Sequence, residues 1–163
     1  MYIPFNQLSN KSKVWIYASE KPLTPEQCTL ISTELEYFTN TWQAHGVDLK
    51  ASFSIQHKHF IIIGVDEAHH APSGCSIDKS VQVIKSIESK INIDLMNRLI
   101  VYVWANNNVE SMRATAVPKS IEMGTLDVDS QVFDNTITSM DTYQNAWLKP
   151  AKDTWLNRYF VCV

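Results

Sequence analysis

Phe60 to Val65 reads F-I-I-I-G-V, six residues with no polar side chain among them. Successive side chains of a strand point to opposite faces, so an extended run that is apolar throughout belongs to a central strand with cover on both sides. Its neighbours have the matching pattern. From Leu49 the period is two, with Leu49, Ala51, Phe53 and Ile55 alternating against Lys50, Ser52, Ser54 and Gln56, as in a half-exposed strand. The intervening His57-Lys58-His59 is short enough for a hairpin. Val14 to Ala18 (V-W-I-Y-A) predicts an earlier strand, with Val14, Ile16 and Ala18 on one face and Trp15 and Tyr17 on the other; Leu99 to Trp104 (L-I-V-Y-V-W) predicts a fourth.

Two helices separate these strands. Thr24-Pro25-Glu26-Gln27 supplies an N-cap threonine, a proline at the first helical position and a glutamine placed to close a capping box. Cys28, Ile31, Leu35, Phe38 and Trp42 then step by three and four, and Gly46 after His45 reads as the terminator, so the helix is expected to end near His45. The polar stretch Asp66 to Ser73 leads into Ile77, Val81, Ile84, Ile87 and Ile91 at the same spacing.

The order β-α-β-β-α-β over 14–104 predicts an α+β fold of the ferredoxin-like, split β-α-β type: a four-stranded antiparallel sheet with both helices on one face. The remainder, 105–163, reads as a helical C-terminal extension, with short helices at Val117-Pro118 to Gly124, Asp141 to Trp147 and Pro150 to Phe160. Its aromatics Phe133, Tyr143, Trp147, Trp155, Tyr159 and Phe160 need burial, and the sheet face carrying Trp15 and Tyr17 is otherwise open. The extension is therefore expected to cover that face, giving one domain over 1–163.

Composition narrows the function classes. The net charge of −3 comes without a run of basic residues, so nucleic acid is not an expected partner. No stretch approaches the roughly 18 to 20 apolar residues of a membrane span, and M-Y-I-P-F-N-Q lacks a basic start and apolar core; a cytoplasmic location is expected. Cys28, Cys75 and Cys162 are odd in number, widely spaced and without C-x-x-C, which fits a reducing compartment better than disulfides or a zinc ribbon.

Three segments, W-Q-A-H-G (42–46), L-K-A-S-F (49–53) and S-G-C-S-I-D (73–78), with the opening M-Y-I-P-F-N and K-D-T-W at 152–155, resemble a family of short bacterial proteins carrying the label "ABC transporter ATPase". The resemblance supplies no catalytic or ligand-binding residues. ATP hydrolysis by such machinery needs G-x-x-x-x-G-K-[ST] to cradle phosphates. The glycines here, Gly46, Gly64, Gly74 and Gly124, precede no Lys-Ser or Lys-Thr, and L-S-G-G-Q is missing, so no ATP binding through a P-loop is expected.

In the expected topology the turn after the first helix and the loop before the second meet at one end of the sheet. This places His45, Gly46 and Lys50 opposite Asp66, His69, His70, Cys75, Ser76 and Asp78. A cysteine at a helix start has its thiolate stabilised by the dipole and free amides, with His45 near enough to serve as base. The competing reading has Ser73 or Ser76 capping the helix, Asp78 complementing the dipole and Cys75 packed. The Gly74 to Ser76 amides could also bind an anion. His57-x-His59 and Asp66-x-x-His69-His70 lie roughly 20 Å apart along the intervening strand at about 3.3 Å per residue, so they cannot share a metal, and surface histidines are expected. Lys152, Asp153, Trp155 and Arg158 read as a docked tail with aromatics inward and the cations outside.

Two functions follow. One is a non-enzymatic module without cofactor, binding a small anionic ligand or a protein partner, a second copy included, through Lys50, Asp66, Gly74, Ser76 and Asp78. The other is a thiol-dependent enzyme with Cys75 as nucleophile and His45 as base.

Overall fold

The computed structural model describes residues 1–161. β1 (Lys13–Ala18), β4 (Ala51–Gln56) and β5 (Phe60–Val65) form an antiparallel sheet in the order β1-β5-β4, with α1 (Pro25–Thr41) between β1 and β4 in the chain. β5 is central and buried along its whole length. Ile61, Ile63 and Val65 face α1 and α2 (Gly74–Ile91), where they meet Ile31, Leu35, Ile84 and Ile87. Phe60 and Ile62 face the other way. At Gly64 a Cβ would come within 2.5 Å of Leu8 Cδ1, so the missing side chain lets the N-terminal segment lie on the sheet.

The four-stranded sheet does not form. The apolar segment after α2 is a strand, β6 (Ile100–Ala105), but it belongs to a second antiparallel sheet of order β7-β6-β8-β9, with β7 (Asn108–Arg113), β8 (Gln131–Phe133) and β9 (Leu148–Pro150). Two causes are visible. The free edge of β1 is already taken: Ala18 N donates to Leu95 O at 3.0 Å, Val14 N donates to Thr138 O at 3.0 Å, and Lys13 bridges Ser139. β6 also turns back on itself through Asn106-Asn107, at φ +53° and +58°, a two-residue type I′ hairpin whose twist suits paired strands.

The faces of β1 are the reverse of the expectation. Trp15 and Tyr17 pack with the helices, while Val14, Ile16 and Ala18 meet the second sheet. The cover over that face is correspondingly a sheet rather than a set of helices. Ile100, Tyr102, Phe133 and Trp147 supply it, and α4 (Met140–Ala146) adds Met140. The outer face of the second sheet, Val101, Val103 and Val132, is closed by Val117 of α3 (Val117–Glu122) and by Ala151 and Leu156 from two 3-10 turns. Four layers result: helices, sheet, sheet, and short helical segments.

α1 begins with the expected capping box, Gln27 N donating to Thr24 Oγ1 at 3.2 Å and Thr24 N to Gln27 Oε1 at 2.9 Å. It stops at Thr41, before the expected end. Gln43–Ala44 (β2) and Val47–Asp48 (β3) then form a tiny hairpin, and His45 (φ +51°) and Gly46 (φ +77°) are its type I′ turn rather than a helix terminus. Among the described residues no helix is long and apolar enough to cross a membrane.

Candidate functional site

The separation of β1 from β6 opens a cavity of about 300 Å³ between the sheets, within the size range of small-molecule sites. Its inner wall is apolar: Ile16 and Ala18 from β1, Leu95, Ile100 from β6 and Phe133 from β8. At its mouth stand Leu99, 67% exposed, and Trp155, 39% exposed.

The chain between α2 and β6 is shaped by local hydrogen bonds. Asn92 ends α2 in the left-handed region at φ +53°. Glu88 Oε2 then accepts from Leu95 N at 2.7 Å, and Asn97 Oδ1 accepts from Leu99 N at 2.9 Å, an Asx turn around Arg98. Arg98 Nη1 donates a long bond of 3.4 Å to Asn135 O across the cavity. Arg158 lies with its guanidinium 5.1 Å from the Trp155 ring and 5.0 Å from Tyr159, and its Nη2 donates to the Tyr159 hydroxyl at 3.3 Å. Among the described residues, neither arginine meets a carboxylate and no carboxylate lines the cavity.

Opposite Arg98 the wall is the loop carrying Asn135 and Thr136, and Asp134 organises it. Burial alone would raise the Asp134 carboxyl. Hydrogen bonds from the Thr136 hydroxyl, the Lys149 ammonium and the Thr136 amide, with the Lys149 charge, outweigh burial and hold it below the usual carboxylate range. Asn135 Oδ1 in turn accepts from Trp147 Nε1 at 2.9 Å. A carboxyl with a lowered folded pKa contributes stability that is complete above the ordinary value of about 4 and is lost as pH falls through the folded value. Asp134→Asn should therefore show a shallower loss of stability than the parent between pH 5 and 2 in urea titrations; parallel acid limbs would contradict the pairing.

Tyr102 is the group here that the fold leaves incomplete. It is 3% exposed, its ring packs 5.1 Å from Phe60, and among the described residues its hydroxyl has no hydrogen-bond partner. Burial and the carboxylates of Glu20 and Asp94 push the phenol far above its ordinary range, so it remains a neutral donor. Tyr102 lines both the cavity between the sheets and a smaller one of about 90 Å³ that contains Glu20, Asp94 and Arg113, and Ala18, Asn97 and Ile100 are common to both.

The residues singled out from sequence occupy a different place. Trp42 Nε1 donates to Ser76 O at 2.8 Å, bringing the β2–β3 hairpin beside the first turn of α2. His45 and Cys75 are both exposed, and no hydrogen bond joins them. Ser76 is buried and closes a capping box with Ser73, so its polar atoms serve the helix start. Asp66 accepts from Ser9 Oγ at 3.2 Å and Ala68 N at 3.0 Å, and Lys50 O accepts from Asp66 N at 2.8 Å. Gly74 and Asp78 are exposed on α2. These contacts are those of loop and helix capping.

Two further expectations change. His59 is buried, with Nδ1 2.8 Å from Ser19 O, instead of lying on the surface, whereas His57 is exposed as expected, 5.0 Å from the Trp104 ring. Trp155 faces the cavity mouth, and Leu156 is the residue that turns inward. Cys162 lies outside the described residues. Among the described residues no group of three or more His, Cys, Asp or Glu side chains is placed to hold a metal ion.

Comparison of the chain with models of protein families, with curated proteins and with solved structures finds no match.

Proposed function

We propose that the protein is a binding module for a small organic acid with a flat apolar body, held in the cavity between the two sheets. The observation that carries this reading is the pairing of an apolar cavity with Arg98 and Arg158, two guanidiniums that meet no carboxylate among the described residues. Arginine presents a rigid fork that suits carboxylates, and Trp155 and Leu99 offer surfaces for a ring. Binding needs neither Cys75 nor His45.

Naphthalene-2-carboxylate is a suitable probe. With 13 heavy atoms at about 0.3 kcal/mol each, a dissociation constant near 1 mM or tighter is expected. Arg98→Ala and Arg158→Ala should each weaken it about tenfold, the effect of losing a hydrogen bond to a charged group. Titration followed by NMR reads both. Unsaturable binding, or binding indifferent to both substitutions, would contradict the proposal.

A further inference from the structure

A second cleft, of about 400 Å³, opens where the turn between β4 and β5 meets α4, and it shares only Phe133 with the cavity between the sheets. We propose that it binds a neutral sugar, a pyranose whose apolar C–H face lies against the aromatic wall of the cleft and whose hydroxyls bond Gln144 and Asn145. This site is distinct from that of the organic acid and does not depend on it.

His57, Trp104, Tyr143 and Trp147 supply the wall. His57 reaches it from the β4–β5 turn, where it stands at φ +52° beside Lys58 at φ +59°. Two-residue turns of this kind favour Asn, Asp and Gly, as at Asn106-Asn107 of the same chain. Turn chemistry therefore does not account for His57. The place of its ring does, 5.0 Å from Trp104, 5.5 Å from Phe133 and 6.1 Å from Trp147. Tyr143 extends the same wall from α4, its ring 4.9 Å from Trp147.

Charge and hydrogen-bonding capacity decide what this wall holds. Among the described residues no Lys, Arg, Asp or Glu lines the cleft, so a charged ligand finds no counter-ion in it. The rings stand in contact with one another, so no ammonium fits between them as in an aromatic cage. Burial, with the charge of His59 as the smaller cause, lowers the His57 pKa and keeps its imidazole neutral at pH 7. One ring nitrogen is then a donor and the other an acceptor, and the Gln144 amide offers both as well. Asn145 Nδ2 donates to Asp141 O at 2.9 Å and to Asp141 Oδ1 at 3.1 Å, which leaves its carbonyl oxygen as an acceptor. Gln144 and Asn145 are both exposed. A hydroxyl donates and accepts through one uncharged atom and so meets each of these groups. A pyranose combines a rim of hydroxyls with an apolar face that gains dispersion contacts on the rings.

The experiment is titration of the labelled protein with methyl β-glucopyranoside, methyl β-galactopyranoside and methyl α-mannopyranoside, with tetramethylammonium and adenosine as competing chemistries. At least one glycoside is expected to saturate, with a dissociation constant of about 1–10 mM for a molecule of this size. It should shift the Trp104 indole and the Gln144 and Asn145 side-chain amides while Arg98 and Leu99 stay unmoved. His57→Asn removes the ring and suits the turn, and Gln144→Ala truncates an exposed side chain. Each should weaken that glycoside about threefold to tenfold. A saturable response to none of the three glycosides, to tetramethylammonium alone or to adenosine alone overturns the sugar site. So does a glycoside response centred on Arg98 and Leu99, or one indifferent to both variants. All of these leave the organic-acid cavity standing.

Discussion

Phe60→Ala is expected to lower the unfolding free energy by about 3–5 kcal/mol, the range for removing a large aromatic side chain from a packed interior. Phe60 is fully buried at the start of the central strand and faces the second sheet. Its ring centroid lies 4.7 Å from Phe133, 4.9 Å from Trp147 and 5.1 Å from Tyr102, so one side chain links β5 to β6, β8 and the end of α4. Tilted and edge-on aromatic contacts add to the area buried. Collapse around the void is restricted, because each neighbouring ring is fixed by a different element. Ile61→Val, on the helix-facing side of the same strand, should cost only about 0.5–1.5 kcal/mol. Urea denaturation of both variants gives the comparison; a Phe60→Ala loss below about 1 kcal/mol would mean that the two sheets are not joined through this ring.

Trp42→Ala should be of similar size, about 3–5 kcal/mol. Trp42 is 1% exposed, its ring lies 4.7 Å from Phe38 and 6.2 Å from Trp15, and its indole N–H donates to Ser76 O. It thus holds the end of α1 against the first turn of α2. Trp42→Phe keeps an aromatic ring and deletes the bond to Ser76 O, a carbonyl that keeps its place in the α2 helical ladder, at a cost of about 0.5–1.5 kcal/mol. The alanine variant should therefore be clearly the less stable of the two. Equal losses would assign the whole effect to the hydrogen bond and none to packing.

The parts of the fold legible in the sequence were those set by short-range pattern. Thr24 to Gln27 specified a helix start, and the two-faced run at 60–65 specified a buried central strand. Which edge β6 joins is a long-range choice. Its apolar pattern suits β1 and β7 alike, and the decision rests on Leu95 and Thr138 occupying the β1 edge, partners 77 and 124 residues beyond Ala18 and Val14 respectively. One local signal did point to the answer: Asn106-Asn107 between the apolar run of β6 and the mostly polar N-V-E-S-M-R is hairpin chemistry. Gly46 was misleading for a related reason, since a positive φ suits a helix end and a type I′ turn equally.

The candidate site was hidden by that same misplacement. With β6 paired to β1 there is no gap between the strands, and Arg98, Tyr102 and Arg158 have no reason to be considered together. Arg158 and Trp155 stood out as a cluster, but helical periodicity alone could not show that Leu156 takes the inward position and leaves Trp155 at the cavity mouth. The orphaned Tyr102 hydroxyl is a property of three-dimensional packing, and sequence carries no sign of it.

The central claim is that ligand binding occurs between the sheets and not at the start of α2. Amide and indole chemical shifts of the labelled protein, followed during titration with naphthalene-2-carboxylate, test it directly. The account predicts changes centred on Arg98, Leu99, Asn135 and the Trp155 indole, with Gly74, Cys75 and Ser76 unmoved. Shifts centred on Gly74 to Ser76 and His45, with Leu99 and Trp155 unchanged, would contradict it.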